Sequence, residues 1–318
     1  CHLWPPCLAA LAWFALPLLG IALLERAPVW SALCLALGIA VLLVCGHFPL
    51  ALYGLQGTAV YASFRLVGIG RRMGAAAAVS GACRLGLAAL AGVLLAAPQW
   101  LPTWELVQLA TRNPGGLTAQ QLEPFGPVTG AALRSLFSPA VRGSGYAGVC
   151  SLLLLPLAAL MPGRGQRRDA LFFAGLALSF ALLSLGSSTP LYAVYRQLPG
   201  TGLFRGPSRA MCMFALGASI SGALCLQGLL ARGEGGPERS NRQSAAGPVR
   251  WAALGVLGAG ALVLLALLPR VSAWLVILSA VGIGAAVLVP RYLQPLALAA
   301  LGCLLARPLS PIRDAASG

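Results

Sequence analysis

The sequence predicts an all-α fold, a polytopic bundle of about ten transmembrane helices. The 318 residues are 58% hydrophobic and only 9% charged, whereas soluble domains carry about a quarter charged residues. The mean hydropathy of the chain is positive. Apolar runs near twenty residues long recur along the chain, and a helix of about this length crosses the roughly 30 Å hydrocarbon layer of a bilayer.

Each apolar run is expected to be a helix, because a segment in lipid must satisfy its own backbone hydrogen bonds. The predicted spans are residues 7–24, 29–45, 48–66, 85–104, 146–162, 170–188, 210–231, 251–269, 272–289 and 292–306. Residues 1–231 are predicted to form a membrane core. The polar, Gly- and Ser-rich segment 232–250 is predicted to be a cytoplasmic linker, and residues 251–318 are predicted to hold the C-terminal transmembrane helices.

The charge of the chain predicts its orientation in the membrane. All 22 basic residues are arginines, and the formal net charge is +15. They lie between apolar runs with no basic helix and no aromatic ladder, so nucleic acid is not an expected partner. Arginine is enriched in short cytoplasmic loops, and the basic connections fall on alternate sides of the spans. Those predicted to be cytoplasmic are Glu25–Arg26, Arg71–Arg72 with Arg84, 163–169 and 231–250. The outer face then carries 1–6, 45–49 and the longer connections 105–145 and 189–209.

Small side chains predict close helix packing. The stretch GASISGA (217–223) has the small residues that let two membrane helices approach each other. The nine cysteines lie mostly inside apolar runs and form no C-x-x-C pair, so we interpret them as small buried hydrophobic residues.

Both histidines of the chain, His2 and His47, fall on the predicted outer face at the mouth of a span. Two histidines without a carboxylate nearby in sequence do not define a metal site. No metal site is therefore predicted, and a requirement for a divalent cation is left open. Each histidine is interpreted either as a helix-end residue bonded to backbone or lipid headgroups, or as a polar group that lines a substrate cleft.

Of the seven acidic residues, only Glu105 and Glu123 lie on the outer face. Glu105 follows APQWLPTW (97–104), where two prolines and two tryptophans predict a broken helix end at the membrane interface. An ionisable residue at membrane depth is costly and indicates a function. The alternative is an ion pair between Glu105 and Arg112 outside the hydrocarbon. Glu123 is interpreted as a solvated loop residue.

Three arginines, Arg196, Arg205 and Arg209, lie in the predicted outer loop 189–209, where the positive-inside tendency disfavours them. A guanidinium group matches phosphate oxygens in a bidentate way. The loop therefore suits a lipid-linked phosphate or pyrophosphate, or the headgroups of ordinary phospholipids.

Four motifs occur in a fixed order along roughly residues 2–212. They are a G-H-x-P turn after a span (46–49), an A-P-Q-x-L-P-T-x-E-L helix end (97–106), a Y-x-G motif at the start of a span (146–148) and L-G-x-x-T-P-L-Y…L-P-G…F-R-x-P-x-R (185–209). In these motifs and their order the chain resembles the bacterial multi-pass membrane proteins of the YfhO family.

The resemblance implies a fold and an activity similar to those of the GT-C glycosyltransferases. Such an enzyme transfers a sugar from a polyprenyl-phosphate carrier to a cell-envelope acceptor on the non-cytoplasmic face of the bacterial cytoplasmic membrane. By this resemblance Arg205 and Arg209 suit the carrier phosphate. The matching polar positions around the same outer cleft are Gln99, Glu105, His47 and His2.

The chain departs from the pattern of this family in two places. GT-C enzymes have their catalytic base, an acidic residue, in the first outer loop, and this chain opens after that point. We therefore expect a fragment that is inactive by itself. Glu105 is the local substitute for the missing acidic residue, and we expect it to position the substrate rather than to act as the base. Gly145 also stands before Tyr146, where the family often has an acidic residue.

Two other functions are compatible with a polytopic fold. A transporter or flippase of a lipid-linked molecule is expected to have ionisable residues at mid-span and an internal hydropathy repeat. The sequence has few such charges and no convincing repeat, so this function is the alternative. A structural role in an envelope assembly is the third.

Overall fold

The structure is a computed structural model that describes residues 10–109, 149–160, 164–198, 201 and 207–231, together with the single positions 255, 280 and 283. The described part is helical and contains no strand, which confirms the predicted all-α class. Several predictions lie outside the described residues. They concern His2, Arg112, Glu123, Arg205, the linker 232–250 and nearly all of 251–318.

Nine α-helices occur in the described part. They are α1 (Ala15–Ala22), α2 (Pro28–Val44), α3 (Phe48–Met73), α4 (Ala75–Leu95), α5 (Ala97–Leu109), α6 (Val149–Leu154), α7 (Arg164–Ser184), α8 (Pro190–Tyr195) and α9 (Met211–Ala231), and 3₁₀ turns cover Leu155–Leu160, Gly186–Ser188 and Pro207–Ala210. Each of the helices α2, α3 and α8 has a proline at its first or second position. Its fixed φ suits a helix start, where its missing N–H costs nothing.

Contacts within the chain define two compact units. Unit 1 consists of Cys1–Thr129 and Ser179–Phe214, and unit 2 of Gly130–Leu178 and Ala215–Gly318. Within unit 1, α2 packs against both α1 and α4, and α3 also packs against α4. A short connection joins each of the helices α1 to α4 to the next one, so consecutive helices run antiparallel.

Glycines set the closest helix contacts in unit 1. A Cβ atom on Gly20 of α1 would lie 2.7 Å from the Leu35 nitrogen of α2, and one on Gly92 of α4 would lie 2.5 Å from the Ala36 carbonyl oxygen. These distances leave no room for a side chain. The two glycines therefore bring α1 and α4 directly against the backbone of α2, around a core that includes Ile39.

The same packing principle operates in unit 2 and confirms the prediction made from GASISGA. A Cβ atom on Gly217 would lie 2.9 Å from the Phe173 carbonyl oxygen of α7. The Ser221 hydroxyl donates to the Ala170 carbonyl oxygen at 2.9 Å. Small residues thus place α9 against α7 and let a serine bond the neighbouring backbone, as in membrane helix pairs.

The prediction of a loop between residues 66 and 85 is wrong. Helix α3 continues to Met73, and α4 starts at Ala75 after Gly74, whose φ of +91° breaks the helix. Arg84 therefore lies inside α4 instead of in a cytoplasmic connection. The alanine-rich sequence AAAAVSGACRLG has a strong intrinsic preference for helix, and this preference outweighs the interruption of the apolar run by arginine.

The helix end predicted at APQWLPTW is not found within the motif, because helix α5 runs through it with Pro102 inside; the interruption lies just before it, at Ala96, and divides the predicted span 85–104. Helix α4 ends at Leu95, and α5 starts at Ala97. Pro98 lacks the N–H that would bond to the Leu94 carbonyl oxygen, and the Trp100 indole N–H donates to the Val93 carbonyl oxygen at 3.1 Å. Helix α5 extends to Leu109, so the outer connection does not begin at 105.

Two described helical segments are long and apolar enough to cross a membrane, Ala75–Leu95 and Pro207–Gly228. In Ala75–Leu95 only 22% of the apolar stretch is buried, and Leu87, Leu90 and Leu94 are exposed along one face. A core helix of a soluble protein buries such a face. These features indicate association with a membrane, whereas the count of ten spans stays a prediction.

The two glycines of α4 at positions 86 and 92 provide a matched test of helix packing. Nothing lies within 4 Å of a Cβ atom built on Gly86. We expect Gly92→Ala to lower the free energy of unfolding by about 1–3 kcal/mol, because the added methyl group displaces α2. Gly86→Ala should leave stability unchanged or raise it, because alanine favours helix. Thermal unfolding of both variants in the same detergent tests this, and equal effects would contradict it.

Candidate functional site at the outer end of unit 1

Helix α3 separates two polar ends of unit 1. Its 26 residues span about 39 Å, from the predicted outer turn at His47 to the predicted cytoplasmic pair Arg71–Arg72. At the latter end Glu25 pairs with Arg65 at 2.8 Å and with Arg72 at 2.9 Å. Two segments that the sequence predicts to lie on the same side of the membrane therefore meet.

His47 caps the start of α3. Its ring is buried, and its Nδ1 atom accepts a hydrogen bond from the Leu50 N–H at 3.3 Å. This confirms the interpretation of His47 as a helix-end residue bonded to backbone. Because Nδ1 is an acceptor, the neutral ring carries its proton on Nε2. The cap thus makes His47 a hydrogen-bond donor toward its surroundings.

The positive charge of Arg209 acts on His47, so the structure links two predicted site residues electrostatically. Burial, followed by the positive charge of Arg209, lowers the pKa of His47 below its ordinary value of 6.5. His47 is therefore neutral at pH 7. Arg209 belongs to the 3₁₀ turn Pro207–Ala210, which packs against α3. A fixed positive charge beside a neutral N–H donor is a suitable environment for an anion.

A group of tyrosines adjoins this pair. The Tyr195 hydroxyl of α8 donates to Gln56 Oε1 of α3 at 3.1 Å. The Tyr195 ring stacks on Tyr53 of α3 with ring centroids 6.2 Å apart, and the charge of Arg209 also acts on Tyr53. We call His47, Tyr53, Gln56, Tyr195 and Arg209 the outer site.

The remainder of α8 is held by local contacts. Tyr192 stacks on Tyr195 with centroids 6.3 Å apart, and Arg196, the C-cap residue of α8, exerts its charge on Tyr192. The Thr201 hydroxyl donates to the carbonyl oxygens of Tyr195 at 2.9 Å and Leu198 at 2.8 Å. The segment predicted to be an outer loop, 189–209, thus contains a short helix tied to the chain that follows it.

Two further predicted site residues, Gln99 and Glu105, are not joined to the outer site within the described part of the chain. Gln99 and Glu105 both lie on α5 and are exposed. No contact within the described ranges joins either residue to the outer site. The proposed pairing of Glu105 with Arg112 and the positions of His2 and Arg205 lie outside the described residues.

Sequence analysis missed Tyr53, Gln56, Tyr192 and Tyr195. The signal that marks them is the i, i+3 spacing of each pair, which places two polar side chains on one helix face. This signal is weak, because tyrosine also occurs in apolar cores and at membrane interfaces. Contact between α3 and α8, far apart in sequence, makes the four residues a group.

Comparison of the chain with protein-family models, with curated proteins and with solved structures gives no match. A proposed function therefore depends on the chemistry of the outer site and on the motifs in the sequence.

The lowered pKa of His47 predicts a pH dependence of stability. Below about pH 6.5 the unfolded chain binds more protons at this residue than the folded chain. Neutral His47 therefore makes its full contribution to the stability of the folded state above about pH 6.5. This contribution is lost as the pH falls from there toward the lowered pKa of His47 in the folded chain. We expect His47→Asn to unfold with less pH dependence between about pH 7.5 and 5.5, because asparagine keeps the capping acceptor but does not titrate.

The control for this experiment is His2→Asn, which removes the other histidine of the chain. It should retain the pH dependence of the wild-type protein. A His47→Asn variant with the full wild-type dependence would contradict the assignment.

Proposed function

We propose that the chain is part of a membrane glycosyltransferase of the GT-C type, similar to YfhO family proteins. It transfers a sugar from a polyprenyl-phosphate carrier to a cell-envelope acceptor on the non-cytoplasmic face of the bacterial cytoplasmic membrane. The observation that carries this proposal is the position of Arg209 beside the buried, neutral His47, next to a group of uncharged polar side chains.

The outer site has two parts that suit the two parts of a sugar phosphate. Arg209 offers guanidinium N–H donors and His47 offers Nε2–H, and both suit phosphate oxygens. Tyr53, Tyr195 and Gln56 offer hydroxyl and amide groups together with stacked rings, and these suit the hydroxyl groups and apolar faces of a sugar.

The proposed reaction is a displacement at the anomeric carbon. The acceptor hydroxyl oxygen forms a bond to this carbon, and the bond from the carbon to the carrier phosphate oxygen breaks with its electron pair remaining on the phosphate. Arg209 stabilises the charge of the leaving phosphate. The motif adds Arg205 to this role, and the loop 189–209 adds Arg196. The hydroxyl proton passes to a general base, which the resemblance places in the first outer loop of such proteins.

The exposed surface of unit 1 supports the membrane location. The leucine face of α4 suits lipid chains, and tryptophans lie near both ends of the helices. Trp30 is exposed at the start of α2, beside the Glu25–Arg26 connection, and Trp104 is exposed on α5 at the other end. Exposed tryptophans at two levels are typical of the two interfaces of a membrane protein.

The phosphate-binding role of Arg209 is tested by carrier binding, which does not require a catalytic base. We expect Arg209→Ala to weaken the binding of polyprenyl phosphate to the purified chain in lipid nanodiscs by roughly ten-fold or more, since hydrogen bonds to charged groups are lost. Arg167→Ala, which removes an exposed arginine from α7, is the matched control and should bind normally. Normal binding by Arg209→Ala would overturn the assignment.

Sugar transfer is tested in the complete protein. We expect Arg205→Ala to abolish transfer and to leave membrane insertion intact, because its guanidinium would no longer stabilise the leaving phosphate. Radiolabelled sugar incorporation measures the transfer. Wild-type transfer in this variant would remove Arg205 from the phosphate site, and carrier binding by a wild-type protein that transfers no sugar would favour the flippase alternative.

A further inference from the structure

The inner end of unit 1, opposite the outer site along α3, carries a dense group of positive charges. Arg26 follows α1, Arg65, Arg71 and Arg72 lie in the last part of α3, and Arg84 lies in α4. We call these five arginines the basic collar. Glu25 is the acidic side chain that pairs within it, so the collar keeps a large excess of positive charge.

The contacts of the helices place these arginines at the same end of unit 1, within about three helical turns of one another. Glu25 binds both Arg65 and Arg72, and the Arg72 Nε–H donates to the Gly68 carbonyl oxygen at 3.2 Å. A Cβ atom on Gly81 of α4 would lie 3.0 Å from the side chain of Leu66. Arg84 therefore lies within one helical turn of the level of Arg65, close enough for its long side chain to extend toward the same interface.

The exposure of the collar suggests its partner. Arg26, Arg71 and Arg84 are exposed, and the Arg72 side chain is 56% accessible although it pairs with Glu25. Trp30, 64% exposed, lies beside this level at the start of α2, and a tryptophan in this position is typical of the headgroup region of a bilayer. Arginines at headgroup depth meet phosphate groups, and their forks match phosphate oxygens.

We propose that the basic collar binds the headgroups of anionic phospholipids in the cytoplasmic leaflet. This inference rests on the membrane location given under the proposed function, and it is independent of the outer site and its substrate. The pairing of Glu25 with Arg65 and Arg72 holds the end of α1 against α3, so the collar is a preformed surface. Anionic headgroups then balance the remaining positive charge, and each exposed arginine adds to the attraction.

Lipid binding by the collar is tested with native mass spectrometry of the purified chain. Phosphatidylglycerol and phosphatidylcholine with identical acyl chains are the two probes. We expect the wild-type protein to retain phosphatidylglycerol preferentially, and Arg71→Ala with Arg84→Ala to weaken that affinity by roughly five-fold for each arginine removed. Phosphatidylcholine binding should be equal in both proteins. The Glu25 ion pairs are formed with Arg65 and Arg72, and neither Arg71 nor Arg84 takes part in them, so the fold should be retained.

Two further variants make the result specific. Arg71→Lys with Arg84→Lys keeps the charge and should retain most of the affinity for phosphatidylglycerol. Arg167→Ala removes an exposed arginine that lies outside the collar and should bind like the wild-type protein. The proposal is overturned if the double alanine variant binds phosphatidylglycerol normally, if Arg167→Ala loses affinity equally, or if the wild-type protein binds both lipids alike.

The same preparations separate this inference from the proposed function. The double alanine variant should still bind polyprenyl phosphate at the outer site, whereas Arg209→Ala should lose that binding and keep its preference for phosphatidylglycerol. If the double alanine variant loses polyprenyl phosphate binding while Arg209→Ala behaves as expected, the lipid site alone is overturned. A chain that alkaline carbonate releases from membranes would overturn both proposals.

Discussion

The hydrogen bond from the Leu50 N–H to the His47 ring fixes where α3 starts, and the rest of unit 1 depends on that start. The helix repeat then places Tyr53 and Gln56 on one face, three residues apart, where they meet Tyr195. Further along the same helix, Gly57 lies against the Met213 side chain. A shift of α3 by one residue would turn each of these side chains by about 100° and separate them.

The far end of α3 is determined by charge. Arg65 and Arg72, seven residues or about two turns apart, reach one carboxylate, Glu25. At the near end, burial and the positive charge of Arg209 lower the pKa of His47 below its ordinary value. The two ends therefore differ chemically. The inner end is a surface of exposed arginines, whereas the outer end is a smaller group with one guanidinium, a neutral imidazole and uncharged polar side chains.

The sides of the helices between these ends show an arrangement that suits lipid. Glycines and serines face the neighbouring helices, where Gly20, Gly92 and Ser221 meet backbone atoms directly. Large aliphatic side chains such as Leu87 and Leu90 point outward. In water this arrangement would expose much apolar surface, while in a bilayer it leaves the small residues to bring helices into contact by close packing.

The sequence by itself determined the all-α class, the close packing of GASISGA, a helix interruption next to the prolines of APQWLPTW and the position of His47 at a helix end. These features follow from composition or from residues adjacent in the chain, where helix propensity, missing N–H groups and small side chains act locally. Tertiary structure decided the neighbourhood of His47 and Arg209, the tyrosine group, and the meeting of Glu25 with Arg65 and Arg72. Each of these features joins residues that are distant in sequence, and the hydropathy pattern does not specify which helix faces pack together.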